Sequence, residues 1–152
     1  LHIVLVEPEI PGNTGNIARL CAATGCDLHL VKPLGFSVED KYLKRAGLDY
    51  WHLVKVHLHD SFAEIQQKYP ACSFYFNTTK ASRSYTQMNY REDDFLVFGK
   101  ETAGLPADLL AANREHCVRI PMENEARSLN LSNAVAIVVY EALRQQNFKN
   151  LW

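Results

Sequence analysis

Six short apolar runs, each bounded by turn residues and separated by stretches with helical start and stop signals, constrain the fold of this chain more than any other feature. Strands are expected over residues 2–7, 28–31, 53–58, 73–76, 95–98 and 118–120. Helices are expected between them. One spans residues 14–24, with Asn13 or Thr14 as cap and Gly25 as stop. Another covers 37–46 between Ser37 and Gly47. A third runs from the Asp60-Ser61 cap to about Tyr69, a fourth covers 106–112 with Pro106 in its first turn, and the last covers 129–146. Residues 81–94 are polar and irregular. Strands alternating with helices imply an α/β fold, a mostly parallel sheet with helices on both faces.

Three strand ends carry polar, turn-rich loops: Asn13-Thr14-Gly15-Asn16-Ile17-Ala18-Arg19, Phe98-Gly99-Lys100-Glu101-Thr102-Ala103-Gly104-Leu105-Pro106, and Arg127-Ser128-Leu129-Asn130-Leu131-Ser132-Asn133-Ala134. The last places four polar side chains at the start of a core helix, more than capping uses. A helix entrance also collects free backbone N–H groups. Ligands of open parallel sheets bind at the carboxyl ends of strands, so the three loops together predict a site there. Two nucleotide signatures are excluded. Gly99-Lys100 lacks the spacing and the following Ser or Thr of a P-loop, and no G-x-G-x-x-G follows the first strand.

The chain's 152 residues fit one domain, 1–152, with no appended RNA-binding domain. A net charge of -1 excludes a general basic field, so a nucleic-acid partner has to meet a local patch. Lys41, Lys44 and Arg45 with Tyr42, and Lys80 and Arg83 near Tyr85, pair cations with aromatics as single-stranded bases require; a solvated helix face and a polar loop are the alternative. No apolar run reaches the roughly 20 residues of a membrane span, and no leader is evident. Cys21, Cys26, Cys72 and Cys117 form no close pair and read as free thiols, which favours a cytoplasmic protein. His57 and His59 would share a strand face, with His52 or Asp60 as a third ligand, but no Cys or Glu spacing supports a closed site and no metal is expected.

The three loops, in this order and spacing, resemble the three motifs of the SPOUT class of RNA methyltransferases. The likeness is closest to the small tRNA wobble-position (cytidine/uridine) ribose 2′-O-methyltransferases. Glu7-Pro8-Glu9-Ile10-Pro11, Arg45-Ala46-Gly47-Leu48-Asp49-Tyr50, Thr78-Thr79-Lys80 and Arg119-Ile120-Pro121-Met122 carry it further along the chain. Gly12 departs from it, standing where these enzymes more often have a polar residue, commonly Gln.

The resemblance implies a deep C-terminal trefoil knot and S-adenosyl-L-methionine (AdoMet) as methyl donor. It places Asn77, Gly99, Ile120 and Ser128 in the AdoMet pocket. Gly99 and Gly104 permit close backbone approach, backbone groups around Ile120, Met122 and Leu129 read the adenine edge, and Asn130 belongs to the third motif. Arg19 is the motif-one arginine to which catalysis is assigned, gripping a phosphate or the ribose oxygen, and Asn16 orients it or caps the turn. Glu101 offsets the sulfonium or pairs with an arginine, with a solvated loop carboxylate as the alternative. Arg127 and Lys80 meet RNA phosphate, and Tyr140 handles substrate, with the core or a dimer seam as its structural alternatives. The implied partners are a tRNA anticodon stem-loop and a second copy of the chain, a homodimer packed through Val135, Ile137 and Val138 with Ile17 and Leu20. A ribosomal-RNA or other tRNA site, a non-catalytic RNA- or AdoMet-binding module and a flavodoxin-like protein are the alternatives.

Overall fold

The computed structural model describes residues 1–39, 41, 43, 45 and 50–152. Six parallel strands form one sheet in the order β3-β2-β1-β5-β4-β6, with β1 His2–Val6, β2 Asp27–Val31, β3 Val56–His59, β4 Phe74–Asn77, β5 Phe95–Phe98 and β6 Cys117–Val118. The helices are α1 Pro11–Thr24, α2 Phe62–Lys68, α3 Ala107–Ala112 and α4 Leu131–Gln145. Side chains of successive residues leave a strand on opposite faces, so β5 is apolar throughout and β1 apolar after His2 because both faces are covered. Ile3, Leu5, Leu28, Leu30 and Leu96 pack against Ile17 and Cys21 of α1 and Val135, Val138 and Val139 of α4. Val4, Val97, Phe76 and Phe95 pack against Phe62 and Ile65 of α2, with Leu109 and Leu110 of α3 alongside.

Several boundaries differ from expectation, each for a local reason. α1 begins two residues before Asn13, with Pro11 in its first turn, where a missing N–H costs nothing. Asn13 and Thr14 are therefore buried inside the helix and cap nothing there. Gly25 closes α1 as expected, in the left-handed conformation (φ 74°), its N–H donating to Cys21 O. Gly12 sits in the first turn with open space where a side chain would go. Residues 51–53 coil into a 3-10 turn, so β3 pairs with β2 only from Val56. Pro106 precedes α3 rather than opening it, and α4 starts at Leu131. Ser61 caps α2 as expected, accepting from Glu64 N. Of the helix expected over 37–46, Lys41, Leu43 and Arg45 are helical and Leu43 is buried, while Tyr42 and Lys44 lie outside the described residues. The four thiols are free, and among the described residues no helix is long and apolar enough to cross a membrane.

β6 ends at Val118 rather than Ile120 because Arg119 leaves β4 and pairs with the long β4–β5 connection. Its N–H donates to Arg83 O and its carbonyl accepts from Tyr85 N, each at 2.8 Å. The same connection is clasped by α4. Gln145 accepts from Tyr90 N and donates to Met88 O, both at 2.9 Å, and Tyr90 itself is buried with its hydroxyl on Tyr85 O. Replacing Gln145 by Leu would strand two part-buried backbone groups. We expect a loss of about 2–6 kcal/mol, read from the midpoint of urea unfolding, because each of the two orphaned groups costs about 1–3 kcal/mol.

Candidate active site

Loops at the carboxyl ends of β1, β5, β4 and β6 enclose a cavity of about 560 Å³, beside the point where the strand order reverses at β1. The β5 loop is its tightest part. Lys100 pairs back onto Gly104, whose N–H donates to Lys100 O at 2.9 Å and whose φ is 69°. The turn presses Gly104 against Gly99: a Cβ on Gly99 would lie 2.1 Å from the Gly104 carbonyl carbon.

A reciprocal clasp joins this loop to the start of α1. The Glu101 carboxylate accepts from the backbone N–H groups of Glu9 and Ile10 and from Asn13 Nδ2. The Glu9 carboxylate accepts from Thr102 N and Oγ1, and these bonds hold it below the usual carboxylate range. α1 has no side-chain cap of its own and no acid in its first turn. Glu101 supplies both from across the cavity, placing negative charge where the helix dipole favours it. Glu101 thus lines the cavity with its carboxylate turned to the start of α1.

Asn13, 7% exposed, extends the clasp. Its Oδ1 accepts from Asn130 Nδ2 at 3.1 Å, and Asn130 Oδ1 accepts from Ser132 N and Asn133 N to cap α4. One chain of polar contacts thus joins all three loops. Asn130→Ala would remove the cap and leave Asn13 short of a partner. We expect about 1–2 kcal/mol less stability by urea unfolding, with the far-ultraviolet spectrum unchanged.

The cavity wall brings together most of the residues singled out in the sequence. Asn77 and Lys80 come from the β4 end, Gly99, Glu101 and Gly104 from the β5 loop, and Ile120, Met122, Arg127, Ser128 and Asn130 from the segment after β6. Phe98, Leu105, Leu110, Val118, Leu129 and Leu131 give it an apolar lining. Asn77 Nδ2 donates to Val97 O at 3.2 Å, while its buried Oδ1 has no partner and is free to accept from a ligand. Lys100 leans toward Glu7, 4.0 Å away.

Three of the singled-out residues lie elsewhere. Asn16 and Arg19 are exposed on α1, beyond the first turn that lines the cavity. The Arg19 guanidinium sits over the Tyr50 ring, 4.9 Å from its centroid, and among the described residues no hydrogen bond joins it to Asn16. Tyr140 is 45% exposed on α4 beside Ile137. Arg83, expected as an RNA contact beside Lys80, donates to Glu115 O. The expected dimer face also changes: Ile17, Val135 and Val138 are core residues, which leaves Ile137, Tyr140 and half-buried Leu20 to offer surface. Sequence reasoning missed Asn13 and Ile10 as cavity residues. An Asn inside a helix, where its side chain competes with the backbone, was the available signal for Asn13.

The comparisons with known proteins agree with this geometry. The model of the SpoU rRNA Methylase family matches residues 1–140. A Bacillus subtilis (strain 168) protein provisionally named a tRNA (cytidine(34)-2'-O)-methyltransferase is 56% identical over 154 residues, 99% of this chain and 96% of that one. The tRNA (cytidine(34)-2'-O)-methyltransferase of Escherichia coli (strain K12) is 48% identical, covering 97% of this chain and 95% of that one. A solved structure described for the 2-OH methylation of C/U34 on tRNA superposes with a TM-score of 0.92 at 46% identity, covering 97% of each chain. The SpoU methyltransferase AviRb of Streptomyces viridochromogenes, in complex with the cofactor AdoMet, superposes with a TM-score of 0.87 at 25% identity over 97% of this chain and 61% of its own. This chain belongs to the SpoU methylase family.

Proposed function

We propose that this protein is an AdoMet-dependent 2′-O-methyltransferase that modifies the ribose of the wobble nucleotide, C or U34, of tRNA. The observation that carries this is the cavity that collects Asn77, Gly99, Ile120 and Ser128 from loops far apart in sequence, in a chain that matches named C34 2′-O-methyltransferases over nearly its whole length. The cavity's chemistry fits AdoMet. Apolar walls at Leu105, Ile120 and Leu129 suit an adenine face, Asn77 Oδ1 is an acceptor awaiting a donor, and the Gly99–Gly104 turn lets backbone approach closely.

AdoMet supplies a methyl group on a sulfonium, and a ribose 2′-oxygen must be aligned with it and lose its proton. A guanidinium offers donors and a positive charge, so the role of Arg19 is electrostatic: it grips a flanking phosphate or the ribose oxygen and stabilises the charge that develops there. The proton passes to phosphate or water. Arg127 and Lys80, in the cavity wall, hold RNA phosphate.

Residues 1–152 act as one methyltransferase domain in the cytoplasm. The segment after β6 threads a trefoil knot, a reading supported by the clasp of the 78–94 connection between Arg119 and Gln145. The protein works as a homodimer. Arg19 does not line its own protomer's cavity, and pairing along the Ile137 and Tyr140 face of α4 brings a second Arg19 to the RNA. Sedimentation equilibrium tests the dimer.

The reaction is tested by methyl transfer from labelled AdoMet into total tRNA, with the product mapped to its nucleotide. Label on the C34 or U34 ribose is expected. Label on another nucleotide, or label only in a parallel assay on ribosomal RNA, overturns the substrate assignment; AdoMet binding without transfer to either RNA overturns the enzyme reading.

A further inference from the structure

We infer that His2, Asp27 and His29 form a site for a divalent transition-metal ion of tetragonal preference, Cu(II) or Ni(II), at the amino ends of β1 and β2. Parallel pairing sets His2 opposite Asp27, and His29 follows two residues later on the same sheet face. His2 Nδ1 lies 3.0 Å from His29 Nε2, and one ligand atom from each of the three side chains lies within 4.8 Å of the others. Two nitrogens 3.0 Å apart subtend about 94° at an ion 2.0–2.1 Å from each. That is near the right angle between neighbouring ligands of a tetragonal ion, whereas tetrahedral coordination would need the rings to part by roughly 0.3 Å.

The surroundings orient these ligands. Glu64 Oε2, 3.8 Å from His59 Nδ1, draws the His59 proton to that nitrogen and leaves Nε2 as an acceptor. His29 Nδ1 lies 2.9 Å from this acceptor and donates to it, so the His29 Nε2 lone pair faces His2. When the ion enters, the His2 proton moves from Nδ1 to Nε2 and frees the second lone pair. His57 Nε2, 3.0 Å from Asp27 Oδ2, fixes the carboxylate or joins it as a ligand. His29 is fully buried while His2 and Asp27 are partly exposed, so an entry path is open. The site lies a strand length, about 13 Å, from the carboxyl-end cavity, and its ion takes no part in methyl transfer. It would staple β1 to β2.

The test is calorimetric titration of the untagged, chelator-treated full chain with Ni(II), and electron paramagnetic resonance with Cu(II). One equivalent should bind, with the Cu(II) spectrum showing two coordinated imidazole nitrogens. His2→Ala and Asp27→Asn should each weaken binding at least tenfold, His2→Ala should remove one nitrogen coupling, and exposed His52→Ala should change nothing. Circular dichroism checks that each variant is folded; the partly exposed position of His2 and the isosteric change at Asp27 make this the expected state. No saturable binding, or binding that survives both His2→Ala and Asp27→Asn, overturns the site. Methyl transfer by the metal-free protein should equal that of the loaded protein, and dependence on the ion would overturn the separation of the two sites.

Discussion

Gly99→Ala is expected to lower AdoMet affinity by at least about a hundredfold and to destabilise the fold by about 1–3 kcal/mol, the usual range for overpacking. The reason is a single steric fact. The added Cβ would lie 2.1 Å from Gly104 C, 2.3 Å from Leu105 N and 2.6 Å from Gly104 O, all backbone atoms with no rotamer to change. The loop has to open, and opening it breaks the Lys100–Gly104 pairing and carries Glu101 and Thr102 away from Glu9 and Ile10. Three walls of the cavity then move together. Gly104→Ala provides the contrast: its Cβ would meet nothing within 4 Å, and only the φ of 69° opposes it, at about 1 kcal/mol. Calorimetric titration with AdoMet and urea unfolding of the two variants separate these effects. A Gly99→Ala protein that binds AdoMet as the parent does would remove this loop from the binding site.

The same contacts explain what the sequence could and could not reveal. The strands were legible because β1 and β5 are covered on both faces and are apolar at nearly every position, a pattern that needs only local residues to read. Gly25 and Ser61 marked helix ends because their roles are also local. The start of α1 was not legible, because its cap is Glu101, ninety-one residues from Ile10 and supplied by another loop. The motifs marked the cavity wall well, since loops at strand ends in a parallel sheet converge whatever their spacing in sequence. The link from Asn13 to Asn130 spans 117 residues and leaves no periodic trace. The histidine cluster left no trace along the sequence for a similar reason. Along one strand His57 and His59 stood out, whereas the cluster spans neighbouring strands and is built on His2, Asp27 and His29. Ile17, Val135 and Val138 were read as an outer face because helical periodicity gives a stripe without saying what covers it; here α1 and α4 lie over the sheet and bury it.

Arg19→Ala should reduce kcat/KM for tRNA methylation by about 10²–10³-fold, the range for removing one donor aimed at developing negative charge. AdoMet affinity should stay within about twofold of the parent, because Arg19 lines no part of the cavity and its contact is the Tyr50 ring, 4.9 Å away. That pairing of outcomes separates Arg19 from Gly99, whose substitution acts on AdoMet first. The division of the loss between kcat and KM reports which atom Arg19 holds. A grip on a flanking phosphate is present before and during transfer and would appear chiefly in KM, whereas a contact that strengthens on the reacting oxygen would appear in kcat. Arg19→Lys should restore little, since a lysine ammonium cannot reproduce the planar two-pronged donor or its stacking on Tyr50. Tyr50→Leu should fall between, costing the ~0.5–1 kcal/mol of an exposed cation–π contact and so a few-fold in rate. Because the proposed dimer sets each Arg19 beside RNA bound at the partner's cavity, mixing Arg19→Ala chains with chains carrying Gly99→Ala should recover activity: each heterodimer holds one intact cavity served by one intact arginine. Single-turnover methylation of such mixtures, compared with either variant alone, measures it. An Arg19→Ala enzyme within about threefold of the parent would remove the arginine from the reaction, and mixtures no more active than their components would place each Arg19 at its own cavity.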